Sequence, residues 1–134
     1  MSGIERINPG HLAPATGFSH AVRVIGPGQL IFLAGQTALD AAGRIVGDDI
    51  TTQFEQALTN LLAAAQAAGA GPGDLAKCTV YAVDVADYRA HASELGRIWK
   101  RLVGSSYPTM AVIGVTRLWD EEALIELEGV AVLP

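Results

Sequence analysis

Between Ile50 and Ala65 the apolar residues fall at Ile50, Phe54, Ala57, Leu58, Leu61, Leu62 and Ala65, which is one face of an α-helix. A second stripe runs through Tyr88, Ala92, Leu95, Trp99 and Leu102. Helices this apolar on one side must be buried, and the runs around them are short and β-rich. The chain is therefore constrained to lay both helices on one face of a sheet. Asp48 or Asp49 can cap the first helix, and Gly69 can end it in the left-handed conformation. Asp84 followed by Asp87 gives the second helix its start, and Gly104 its end. Gly96 is out of place, since glycine inside a helix costs about 1 kcal/mol relative to alanine. A neighbour packed closely against it would account for it.

Residues 20–25 and 30–34, split by Gly-Pro-Gly at 26–28, predict a hairpin. Residues 76–83 alternate and predict a strand with Cys78 on the helix side. Further strands are expected at 109–115 and 124–132. The order is β-β-α-β-α-β-β, with a short first strand near Arg6. This is an α+β layer structure, a mixed sheet with two helices on one face, in a single domain over 1–134. Period-2 alternation groups Met110 with Val112, and Leu124 with Glu126, Glu128, Val130 and Val132. Both groups are expected on the helix-free face. An apolar face of that kind predicts an oligomer that covers it.

The charge balance narrows the function. Nine Lys and Arg stand against fourteen Asp and Glu, which argues against nucleic acid or an anionic membrane as partner. Arg97, Lys100 and Arg101 form the best basic cluster, and its plain reading is a solvated helix face. Cys78 is the only cysteine, so no internal disulfide forms and a cytoplasmic setting is expected. No secretory leader opens the sequence, and no stretch is apolar for the roughly 18 residues a membrane span needs. His11, His20 and His91 lack ligand spacing, so no metal is expected. No glycine-rich stretch has a phosphate-binding context, and no cofactor is called for.

The chemistry that remains centres on Glu126 and Glu128. Two residues apart on a strand, they are separated by roughly 6.5–7 Å. On a partly covered apolar face, burial raises a carboxyl pKa toward neutrality and suits it to general acid–base work. At a strand end both would simply face solvent.

The segments TGFSHAV (16–22), LAGQTAL (33–39), the helix at 49–69, DLAKCTVYAVDVADY (74–88), YPTMAVIGVTRL (107–118) and IELEGVAV (125–132) together resemble the RidA/YjgF family of reactive-intermediate deaminases. That resemblance implies a chorismate-mutase-like fold and a homotrimer with clefts between subunits. It also implies a small-molecule substrate, an enamine or imine hydrolysed to a ketoacid and ammonia. The family's clamping arginine falls on Met110 here, its tyrosine on Phe18, its helix asparagine on Ala92 and its cysteine on Val112. Gly35, Gln36 and the cleft glutamate, at Glu128, survive. The implied site is Glu128 as catalytic carboxylate, with Phe18, Ser19, Gly35, Gln36, Met110 and Val112 about the substrate. Losing one member of a buried charge pair typically costs about 2–5 kcal/mol. Weak or absent 2-iminoacid deaminase activity is therefore expected. Arg23, Arg117 and His20 are the candidates to replace the missing clamp. The competing reading is a trimer that binds an apolar ligand or a protein without catalysis.

Overall fold

The computed structural model describes residues 3–134. Its elements are β1 (Ile4–Ile7), β2 (Ala21–Val24), β3 (Gln29–Gln36), α1 (Ile50–Ala67), a 3-10 turn (Pro72–Asp74), β4 (Leu75–Ala82), α2 (Val85–Ala90), α3 (Ala92–Leu102), β5 (Thr109–Gly114) and β6 (Ile125–Leu133). The α+β architecture is the one the two stripes require. The main sheet has the order β3-β6-β4-β5, with β4 and β5 parallel and the other pairs antiparallel.

The expected hairpin does not form. β2 pairs with β1, antiparallel from Ile4↔Val24 to Ile7↔Ala21. After Gly26, at φ +65°, the chain turns away and β3 takes β6 as its partner. Gly28 lies so close to the Leu133 carbonyl that a Cβ there would sit 2.8 Å from it. The short strand near Arg6 is β1.

α1 begins at Asp49, whose carboxylate accepts from the Thr52 N–H at 2.7 Å. It ends before Gly69, at φ +95°. Its stripe, with Leu33, Cys78, Val80, Ile125 and Leu127 from the sheet, forms the core. Two amides on α1 anchor the loops above it. Gln53 is buried and donates to the carbonyls of Gly47 and Glu122, while accepting from the Leu124 N–H. Asn60 donates to the carbonyls of Thr37 and Leu39.

The second predicted helix is two. α2 and α3 meet at His91, which leaves the helical region at φ −107°, ψ 13°. Its Nδ1 approaches the Asp87 carbonyl at 2.9 Å, a partner the helix ladder would otherwise use alone. The stripe survives the break: Leu95 and Trp99 are buried and Tyr88 packs on the core. Gly96 has no close neighbour, for a Cβ there would meet nothing within 4 Å.

The faces of the sheet also need correcting. In parallel register Cys78 opposes Met110 and Val80 opposes Val112. Opposed residues project to the same side, and Cys78 and Val80 are fully buried beneath the helices. Met110 and Val112 therefore face the helices. Val132 is buried, with Gly28 against it. Leu124 precedes β6 rather than belonging to it. Among the described residues, the large apolar side chains left exposed on the helix-free face are Leu30, Phe32 and Ile113. Parity along each strand is right, but the side taken by β5 follows from its parallel pairing, which the pattern does not encode.

Candidate active site

The helix side of the β5 edge holds a cavity of about 730 Å³. Met110 and Val112 rise into it from the strand, Phe18 from the preceding loop, and Ala92 and Gly96 from α3. Ser19 brings the loop there. It is buried, its N–H donates to the Pro108 carbonyl at 2.8 Å, and its hydroxyl donates to the Tyr107 carbonyl at 2.7 Å. Those bonds set Phe18 beside the start of β5. Aromatic walls come from Tyr88, Trp99 and Tyr107, the last two stacked with ring centroids 6.5 Å apart. The Trp99 indole N–H is buried without a hydrogen-bond partner among the described residues. Burial pushes the Tyr88 hydroxyl up to about 12, so it stays a neutral donor.

Glu128 and Gly35 lie elsewhere. Thr79 opposes Glu128 and Tyr81 opposes Glu126, so both carboxylates stand on the helix-free face. The Tyr81 hydroxyl donates to Glu128 Oε1 at 2.5 Å. That bond, with burial and the nearby carboxylates, raises the Tyr81 pKa. Burial, and then the charge of Glu128, raises the pKa of Glu126. Gly35 sits against the Glu126 carboxylate, and a Cβ at position 35 would fall 2.3 Å from its Oε2. The glycine belongs at the irregularity between Leu33 and Gln36, where β3 shifts register against β6. Gln36 follows, half-buried opposite Leu127. Lys77 donates to the Thr79 hydroxyl at 2.8 Å on the same face.

The residues implied by the resemblance thus divide. Phe18, Met110 and Val112 come together with Ala92 in the cavity. Glu128 and Gly35 stand across the sheet from them. None of the candidate replacement groups reaches the cavity. Arg23 pairs with Glu5. Arg117 donates to its own loop at the Leu118 and Trp119 carbonyls. His20 packs edge-on against Phe18, with centroids 5.0 Å apart, but its Nε2 lies 2.7 Å from the Ala13 carbonyl. The cavity's charged residues are instead Arg97 and Lys100 on α3. Their position three apart is visible in the sequence, but nothing there shows that α3 turns this face toward β5. Cys78 is fully buried, and desolvation pushes its thiol up to about 12, so it offers no nucleophile. Among the described residues no cluster of three or more His, Cys, Asp or Glu could hold a metal, and no helix is long and apolar enough to cross a membrane.

Known proteins resemble the chain over nearly its whole length. The family model described as Endoribonuclease L-PSP matches residues 9–133. A RutC family protein of Pyrococcus abyssi is 34% identical over 119 residues, which is 88% of this chain and 87% of that one. A 2-iminobutanoate/2-iminopropanoate deaminase of Salmonella typhimurium is 29% identical over 120 residues, 84% of this chain and 92% of its own. The crystal structure of YyfB from Yersinia pestis, a Rid-family protein of unknown function, matches with a TM-score of 0.86 at 34% identity, covering 98% of this chain and 99% of that one.

Proposed function

This chain belongs to the Endoribonuclease L-PSP family, which includes the RidA/YjgF proteins, and from that premise we propose that it is a divergent member that hydrolyses a labile enamine or imine. The observation that carries this reading is the convergence of Phe18, Ala92, Met110 and Val112 on one cavity. These are the positions where the sequence departs from the family pattern. Their departure acts on a single place, so it changes what that place holds. With Met110 where a strand-borne cation is expected, small 2-imino acids lose their carboxylate partner.

The chemistry falls to Glu128. A carboxylate takes a proton from water as the oxygen adds to the C=N carbon, and the nitrogen is protonated as the π bond opens. The carbinolamine then collapses to a carbonyl compound and ammonia. Tyr81, held at 2.5 Å from Glu128, fixes the direction of that carboxylate. Backbone N–H groups near Gly35 or Met110 would stabilise negative charge as it develops.

Within one chain the cavity and Glu128 lie on opposite faces of the sheet, so a working site takes the cavity from one copy and Glu128 from another. Leu30, Phe32 and Ile113, exposed on the Glu128 face, support a homotrimer in which that face of one copy packs against the β5 edge of the next and brings Glu128 toward its neighbour's cavity. The same geometry favours one other reading, a trimer that binds an apolar ligand without turning it over.

Ammonia release from enzymatically generated imines, one small and one aromatic, tests the proposal. Glu128→Gln is expected to lower kcat on the better substrate by about a hundredfold, within the usual range for general acid–base catalysis. Unchanged turnover would remove Glu128 from the mechanism. Robust hydrolysis of 2-aminoacrylate would overturn the altered specificity. Binding with no ammonia from any imine would favour the non-catalytic reading.

A further inference from the structure

The chain carries a net charge of −5, yet no acidic residue lines the cavity. Its only charged residues are Arg97 and Lys100. They lie three apart, on one side of α3. The adjacent Arg101 is engaged by Glu55 from α1. Neither Arg97 nor Lys100 is in an ion pair among the described residues. Beneath them the walls are aromatic and aliphatic: Phe18, Tyr88, Trp99, Tyr107, Met110 and Val112. Met110 and Tyr107 pack against the core, while Arg97 and Lys100 are exposed. The cavity is thus apolar in its depth and cationic at its mouth. Its volume suits a ligand of many heavy atoms rather than a three-carbon acid.

We propose that this cavity binds aromatic anions, with the ring against Met110, Trp99 and Tyr107 and the anionic group held at the mouth by Arg97 and Lys100 of α3. The recognition of negative charge has in effect moved from the strand to the helix. The anionic group then lies at the far end of the ligand from the strand, not beside a C=N carbon on it. Gly96 serves the same end. It lines the cavity between Leu95 and Arg97, and its missing side chain leaves open space that a larger residue would occupy. The proposal rests on reading this cavity as the ligand site and adds the class of ligand.

The test uses titration calorimetry on the full chain with 2-naphthoate and its neutral isostere 2-naphthamide. The wild type is expected to bind naphthoate at least about tenfold more tightly than the amide, the scale two partly solvated cations can supply. Arg97→Ala/Lys100→Ala removes that preference, so that acid and amide bind alike. Arg97→Glu/Lys100→Glu transfers the preference to 2-naphthylmethylammonium. Gly96→Leu, which favours the helix, weakens both naphthyl ligands by about tenfold or more. Melting curves confirm that each variant is folded. Equal binding of acid and amide, no binding of naphthoate, an undiminished preference in the double alanine variant, or full naphthoate binding by Gly96→Leu would each overturn the proposal. Binding is read without turnover. An inert protein that retains the naphthoate preference defeats the hydrolytic reading and leaves this one standing. A hydrolase blind to the ligand's charge does the reverse.

Discussion

Glu126 is held by a glycine. A side chain at position 35 would collide with its carboxylate, so Gly35 is required by close approach, not by a left-handed backbone. Burial and the neighbouring Glu128 raise the pKa of Glu126 above its ordinary 4.5. Just above pH 4.5 the folded protein therefore keeps this proton more often than the unfolded chain does. Stability from this group is complete below about pH 4.5 and is lost as pH rises through the folded pKa. Glu126→Gln should flatten that fall and make the protein more stable than wild type at neutral pH, as urea melts at a series of pH values would record. A loss of stability at pH 7 would contradict the assignment. The two carboxylates and their shared face were legible from alternation alone. The closeness of Gly35 to Glu126 was not, because it depends on a register shift between strands distant in sequence.

At the scale of elements, α1 was legible down to its cap. Asp49, the stripe and Gly69 all act locally, within a turn or two of the residues they govern. α3 was legible as a stripe but not as a wall. Gly96 shows the difference. The sequence marks it as unfavourable, and a tight neighbour is the natural explanation. The structure supplies open space instead. Gly96→Ala should then stabilise the protein by up to about 1 kcal/mol through helix propensity. Chemical denaturation checks this, and destabilisation would mean that something does press on that position. β5 was harder still. It is apolar on both sides, so alternation pairs Met110 with Val112 but cannot say which way they point. The parallel ladder with β4, formed by residues some thirty positions earlier, decides it.

For the whole molecule, the unsettled surface is the helix-free face, where Phe32 is 77% exposed. A side chain of that size on open sheet, with Leu30 beside it, is the feature on which the proposed homotrimer rests. If the proposed homotrimer closes over this face, Phe32→Asp should shift it toward monomer in sedimentation velocity while each chain stays folded. An unaltered sedimentation coefficient would place the contact elsewhere. The fold class followed from periodicity, whereas the residues exposed on the helix-free face did not, because β5 turns Met110 and Val112 toward the helices. The division of the site did not, because it is a property of the sheet and not of any segment.

That division has a consequence for how such a chain can change over generations. The sheet is a single layer, and the residues that would grip a ligand share no side chain with those that would move its protons. Under the proposed function, substitutions at Phe18, Met110, Val112 or along α3 can alter the molecule recognised without disturbing Tyr81 or Glu128. On the proposed reading, selectivity can drift on one face of the sheet while reactivity is inherited on the other.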